Sequence, residues 1–99
     1  MGIQPYPVQR FIGLLSEMPK KKLISKEKFK KELGERIRAV REAKGISLKQ
    51  LEAMDDSLDK SDLSKIELGK ILPSTYTILK IATLLEEDVS TFFYGKKKE

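Results

Sequence analysis

The chain contains no cysteine, no histidine and no tryptophan among its 99 residues. Without cysteine and histidine it has no disulfide, no thiolate or imidazole metal ligand, no cysteine nucleophile and no histidine general base. We therefore expect a protein that is not an enzyme and that uses no catalytic residue, no metal and no cofactor. The lack of cysteine also fits a reducing compartment, so we expect a cytoplasmic protein.

Long hydrophobic runs are missing as well. An apolar run such as residues 11–15, which includes Gly13, is far shorter than the roughly 20 residues that a membrane-spanning helix needs. The first six residues have neither a basic segment before an apolar one nor the hydroxyl at position six that favours myristoylation. We expect no membrane partner.

The net charge of +5 is unevenly distributed. Residues 20–44 carry eleven lysines and arginines against four glutamates, a local charge of +7, whereas residues 45–95 carry five lysines against nine acidic residues. A basic excess favours a nucleic-acid partner. It lies, however, before residues 60–69, the segment with the strongest functional pattern, which is described below. The cluster from Lys20 to Lys44 therefore has two interpretations, attraction to a nucleic-acid backbone and simple solubility.

The N-terminal part is set off by prolines and a lysine run. Its apolar residues recur at i, i+3, i+4 and i+7, namely Val8, Phe11, Ile12 and Leu15. This spacing predicts a short amphipathic helix between Pro7 and Pro19, which must bury its apolar face on the rest of the chain, on another subunit or on a partner protein. We expect residues 1–24 to be an extension with a lysine-rich connector, residues 25–95 a helical domain and residues 96–99 a basic tail.

Caps and apolar spacing predict helices and no strand in residues 25–95. Ser25 is the expected N-cap of a long helix that Gly45 ends, and Ser47 with Gln50 forms a capping box for a second helix. Further helices are expected at about 61–68, closed by Gly69, and after Ser74, with Ser90 capping a last turn. The side chains expected to point inward are Phe29, Leu33, Ile37, Val40, Ile78, Ile81, Ala82, Leu85, Phe92 and Phe93.

The segment K-S-D-L-S-K-I-E-L-G at residues 60–69 carries the strongest functional pattern. Leu63 and Ile66 share one face of the predicted helix, so the polar side chains Lys60, Ser61, Ser64 and Lys65 point outward. A lysine can donate to the O6/N7 edge of guanine, and serine can bind either base of a pair. The other interpretation is a solvated surface helix.

Three segments together resemble the lambda-repressor-like helix-turn-helix proteins of the XRE type, the family of Cro and the phage repressors. They are L-G-E-R-I-R-A-V-R-E-A-K-G-I-S at residues 33–47, L-S-K-I-E-L-G-K at 63–70 and P-S-T-Y-T-I-L-K-I-A-T-L-L at 73–85. The resemblance implies an all-α, five-helix DNA-binding domain, here with an extra short N-terminal helix. In this family the third helix enters the major groove, and two subunits bind half-sites about one helical turn apart.

The resemblance also assigns roles to single residues. It places Lys60, Ser61 and Lys65 at base-reading positions. It places four others near the DNA backbone, namely Ser47, Lys70, Ser74 and Thr75. It further implies a structural ion pair between Arg41 and Glu67. Helix capping is the other interpretation of Ser47 and Ser74.

Several residues depart from the family pattern. Leu48 replaces a glutamine that in many members reaches the DNA, and Glu52 replaces a small residue. The turn before residue 60 is one residue longer than usual and lacks glycine. Aspartates at 55, 56, 59 and 62 crowd it, and carboxylates facing phosphates weaken binding. Asp62 has two interpretations, a contact to a cytosine amino group and stabilisation of its own helix N-terminus, and we favour the second.

Two functions follow from this sequence. The first is a sequence-specific transcriptional regulator that binds double-stranded DNA at a palindromic operator as a homodimer and represses by occupying it. The alternative is a protein-interaction module, for example antitoxin-like, that keeps the helix-turn-helix fold with weak or no DNA reading and binds another protein through its acidic turn and N-terminal helix.

Overall fold

The computed structural model describes residues 23–94, which form five helices and no strand. The helices are α1 (Lys26–Ala43), α2 (Leu48–Ala53), α3 (Lys60–Glu67), α4 (Thr75–Leu84) and α5 (Val89–Tyr94). The predicted all-α fold is confirmed for this part of the chain. The predicted N-terminal helix and the tail lie outside the described residues, and the proposed division at residues 24 and 95 stays a prediction.

The first two helices begin at the serines that the sequence indicates. The Ser25 hydroxyl accepts a hydrogen bond from the backbone N–H of Lys28 at 3.0 Å. The Ser47 hydroxyl accepts from the Gln50 N–H at 3.0 Å, and the Gln50 side chain accepts in return from the Ser47 N–H at 2.7 Å. Each bond satisfies an N–H that has no partner inside its helix, so both boundaries are fixed by local sequence.

The last helix corrects one prediction. Ser90 does not cap α5, because the helix begins at Val89 and the side chain of Asp88 accepts from the Ser90 N–H at 2.9 Å. This hydrogen bond stabilises the carboxylate and lowers the pKa of Asp88. The C-terminal end of α5 is bound to α1 by Arg36. Its guanidinium donates to the carbonyl oxygens of Phe93 at 2.8 Å and Phe92 at 3.3 Å.

One apolar core joins the helices, with α1 against α3 and α5, α2 against α3, and α4 against α5. Its buried side chains are Leu33, Ile37, Val40, Leu51, Leu58, Leu63, Ile66, Ile78, Ile81, Ala82, Leu85 and Phe92. Phe29 and Phe93 are half-buried at its edge, where their rings stack at 5.9 Å. Leu58 is a core residue that periodicity misses, because it lies in the connection between α2 and α3.

The backbones of α1 and α3 lie very close together at Gly34. A Cβ at this position would stand 2.6 Å from the carbonyl oxygen of Glu67 and closer still to that of Ile66. Only a glycine therefore allows the two backbones to come this near. The contact holds the C-terminal end of α3 on the core and leaves its opposite face exposed.

Candidate nucleic-acid interface

The exposed face of α3 gathers most of the residues expected to contact DNA. Lys60, Ser61 and Lys65 are exposed, while Leu63 and Ile66 on the other face are buried. The exposed side borders a shallow depression of about 570 Å³, lined by Leu48, Asp59, Lys60, Ser61, Ser64, Lys65, Leu68 and Lys70. Three lysines and two serine hydroxyls thus line one concave surface.

Ser47, Ser74 and Thr75 lie elsewhere, at helix starts. The Ser74 hydroxyl accepts from the N–H of Thr77 at 3.1 Å, just as the Ser47 hydroxyl caps α2. Thr75 is the exposed first residue of α4. The hydrogen bonds favour capping for both serines, and a phosphate contact at these three positions stays a prediction based on the family.

Arg41 and Glu67 join α1 to α3 through a buried ion pair. The guanidinium donates from Nε to one carboxylate oxygen at 2.7 Å and from Nη2 to the other at 2.9 Å. Its third nitrogen donates to the carbonyl oxygen of Ile46 at 2.7 Å. The hydrogen bonds to Glu67 hold the pKa of Arg41 above its ordinary value, so the guanidinium stays charged.

Comparison with known proteins assigns the fold to a family. A family model described as a helix-turn-helix domain matches residues 34–97. The chain belongs to the helix-turn-helix family. It is also similar to the crystal structure of the restriction-modification controller protein C.AhdI from Aeromonas hydrophila, at 35% identity and a TM-score of 0.59, over 63% of this chain and 92% of the controller. No curated protein matches significantly.

These matches confirm the resemblance to XRE-type helix-turn-helix proteins and make the chain a DNA-binding protein of the transcription-regulator class. By their order in the chain, α2 and α3 correspond to the two helices of the motif and residues 54–59 to its turn; in such motifs the second helix, here α3, is called the recognition helix. Within residues 23–94, no helix is long and apolar enough to cross a membrane. In the same range, no group of three or more acidic side chains is arranged to hold a metal ion.

Two acidic residues around the helix-turn-helix turn are bound within the protein. The Glu52 carboxylate accepts from the backbone N–H of Lys60 at 2.7 Å. The Asp55 carboxylate accepts from the backbone N–H and the hydroxyl of Ser57 and lies 3.5 Å from the Lys80 ammonium. The hydrogen bonds from Ser57, with a smaller contribution from Lys80, lower the pKa of Asp55. These carboxylates stabilise the turn, a role that the family pattern did not indicate.

No local pattern in the sequence indicates the contact between Glu52 and Lys60. Asp59 immediately precedes α3 and has the side chain preferred at an N-cap. Its side chain makes no capping hydrogen bond, although its backbone is extended as a cap requires. Position 52 is eight residues before Lys60, so only the packing of α2 on α3 brings its carboxylate to the start of the recognition helix.

Proposed function

We propose that this protein is a sequence-specific transcriptional repressor that binds a palindromic operator as a homodimer. The observation that carries the proposal is the depression on α3 that gathers Lys60, Ser61, Lys65 and Lys70. The first three suit base edges in the major groove, and Lys70, which follows the recognition helix, suits a phosphate. Repression follows when a subunit pair occupies the DNA that a polymerase needs.

The basic helix α1 supports attraction to the DNA backbone. Its exposed residue Lys31 lies beside the loop that carries Lys70, since a Cβ on Gly69 would stand only 2.9 Å from the Cα of Lys31. The positive charge of Lys31 on α1 therefore lies next to the loop that follows α3. This placement offsets the exposed aspartates of the turn in the salt-dependent part of binding.

Exposed apolar residues on α4 and the loop before it suit the contact between the two subunits. Tyr76 is 68% exposed and Leu79 is 51% exposed, and Ile71 and Leu72 add to the same stretch of chain. The Lys80 ammonium lies 5.0 Å from the Tyr76 ring centre and so helps to orient it. Neither Tyr76 nor Leu79 lines the depression on α3, so a second copy on this surface leaves the proposed reading face open.

Selection from random duplex DNA tests the proposal. A repressor of this kind should enrich one site with two-fold symmetry, and transcription from a promoter that overlaps the site should fall when the protein is present. Enrichment of no sequence would favour the protein-interaction module. Enrichment of an asymmetric site would contradict the palindromic operator and the homodimer.

Replacing Lys65 with alanine tests base reading. We expect a loss of roughly 1–3 kcal/mol at the selected site and a relaxed preference at one position in each half-site, because a lysine donor to a base edge disappears. Quantitative binding to a library of single-base variants measures both effects. Equal weakening on every sequence would instead make Lys65 a phosphate contact.

Replacing Leu79 with glutamate tests the subunit contact. A carboxylate buried in that surface lacks a partner, so we expect a monomer in sedimentation and a loss of operator affinity on the order of 10²-fold, with binding to an isolated half-site retained. The matched control is Leu23→Glu, the same change at a side chain that is 93% exposed before α1. An unchanged mass for Leu79→Glu would place the contact elsewhere.

A further inference from the structure

The recognition helix has an unusual start. Most helices have a side chain at the preceding residue that accepts a hydrogen bond from one of the first free N–H groups. Here the Asp59 side chain makes no such bond, and the carboxylate of Glu52 accepts from the N–H of Lys60 instead. The cap of α3 is thus supplied by α2, so one hydrogen bond connects the two helices of the motif directly.

We propose that Glu52 is a positioning residue, which fixes the start of the recognition helix relative to α2 and thereby sets the accuracy of DNA reading. The proposal rests on the DNA-binding function above. In this hydrogen bond the acceptor is a side-chain carboxylate and the donor is the first N–H of a helix, where the helix dipole favours an acidic side chain. Lys60 is also the first residue assigned to base reading, so the bond anchors the backbone that carries that side chain.

The rest of the turn is anchored from another direction. Lys80 on α4 donates to the Ser57 hydroxyl and lies 3.5 Å from Asp55, and the Leu58 side chain is buried in the core. These contacts hold the middle of residues 54–59 on α4 and the core. They do not include Lys60, the first residue of α3. Among the described residues, the side chain that accepts a hydrogen bond from the Lys60 N–H is that of Glu52.

The Glu52 carboxylate also has a second effect on DNA binding, which lowers affinity where positioning raises it. An acidic side chain close to DNA repels phosphates, so its removal would by itself strengthen binding to every sequence. Positioning concerns the ratio of specific to non-specific affinity, whereas repulsion changes both affinities together. Measuring the two affinities side by side at one salt concentration therefore separates the two effects.

The experiment compares three variants. Glu52→Ala removes the charge and the acceptor, and Glu52→Gln removes the charge but keeps an oxygen that can accept from Lys60. Asp56→Ala is the matched control, since it removes one exposed charge from the same turn at a side chain with no hydrogen bond or ion pair to the described residues. The readouts are the affinity ratio, hydrogen exchange of the Lys60 amide in the free protein, and the melting temperature.

We expect Glu52→Ala to lower the ratio of specific to non-specific affinity roughly tenfold or more, the size of one hydrogen bond to a charged group. Its Lys60 amide should exchange faster than in the wild type. Glu52→Gln should retain most of the ratio and of the amide protection. Asp56→Ala should leave the ratio unchanged and raise both affinities alike.

Three outcomes would overturn the proposal. Glu52→Ala and Glu52→Gln could both strengthen all binding at a constant ratio, which would make Glu52 only a repelling charge. Glu52→Ala could lower the melting temperature at a constant ratio, which would make the cap a matter of stability alone. Fast hydrogen exchange of the Lys60 amide in the wild type would show that its hydrogen bond to Glu52 does not form in solution. A wild type that selects no DNA site contradicts the proposed function instead, and the amide measurement on the free protein still tests the cap.

Discussion

Replacing Arg41 with alanine is expected to destabilise the protein by about 3–5 kcal/mol, because it leaves the carboxylate of Glu67 buried without its partner. The side chains of Arg41 and Glu67 are only 9% and 5% exposed, and three hydrogen bonds hold the guanidinium to Glu67 and Ile46. Such a loss is a large part of the stability of a domain this small. Chemical denaturation with urea measures it.

A matched control lies on the same helix, one turn earlier. Arg38 pairs with Glu42 at 3.2 Å, but both side chains are 55% exposed, so water already solvates the charges. Arg38→Ala should cost no more than about 0.5 kcal/mol. In the double variant Arg41→Ala with Glu67→Ala, part of the loss should be recovered because no buried charge remains unpaired. Equal losses for Arg41→Ala and Arg38→Ala would contradict a buried structural pair.

Gly34→Ala is expected to destabilise the protein by about 3 kcal/mol, although helix propensity alone predicts a gain of about 1 kcal/mol from the same change. The added methyl group would meet the backbone carbonyls of Ile66 and Glu67, which cannot move aside as a flexible side chain could. The helices α1 and α3 must then separate, and this separation weakens the ion pair between Arg41 and Glu67. Thermal and urea unfolding both measure whether Gly34→Ala lowers or raises the free energy of unfolding.

Gly45 provides the comparison for Gly34. It ends α1 with φ of +71°, and nothing lies within 4 Å of where its Cβ would stand. Gly45→Ala should therefore cost about 1–2 kcal/mol from backbone strain alone, without separating any helices. DNA binding by the remaining folded protein should persist for Gly45→Ala and weaken for Gly34→Ala, because only Gly34 supports the recognition helix. Stabilisation by Gly34→Ala would show that the two backbones are not in contact.

Local patterns predicted most of the candidate site. The alternation of buried and exposed residues in α3 follows directly from helical spacing, so this spacing alone assigns Lys60, Ser61 and Lys65 to its outer face. Helical spacing does not predict that Lys70 lies beside these residues, because its position depends on the path of the loop after Gly69. The capping of Ser47 and Ser74 could also be predicted, because each partner lies three residues away.

The sequence by itself determined the helices, their caps at Ser25 and Ser47, the left-handed glycines and the inward faces, because these depend on residues at most one or two turns apart. The tertiary structure decided what holds the recognition helix. It brings Glu52 to Lys60, Lys80 to the turn, and the backbone at Gly34 against α3. Such contacts join residues far apart in the chain, and no local pattern records them, since they arise only when the helices pack on a common core.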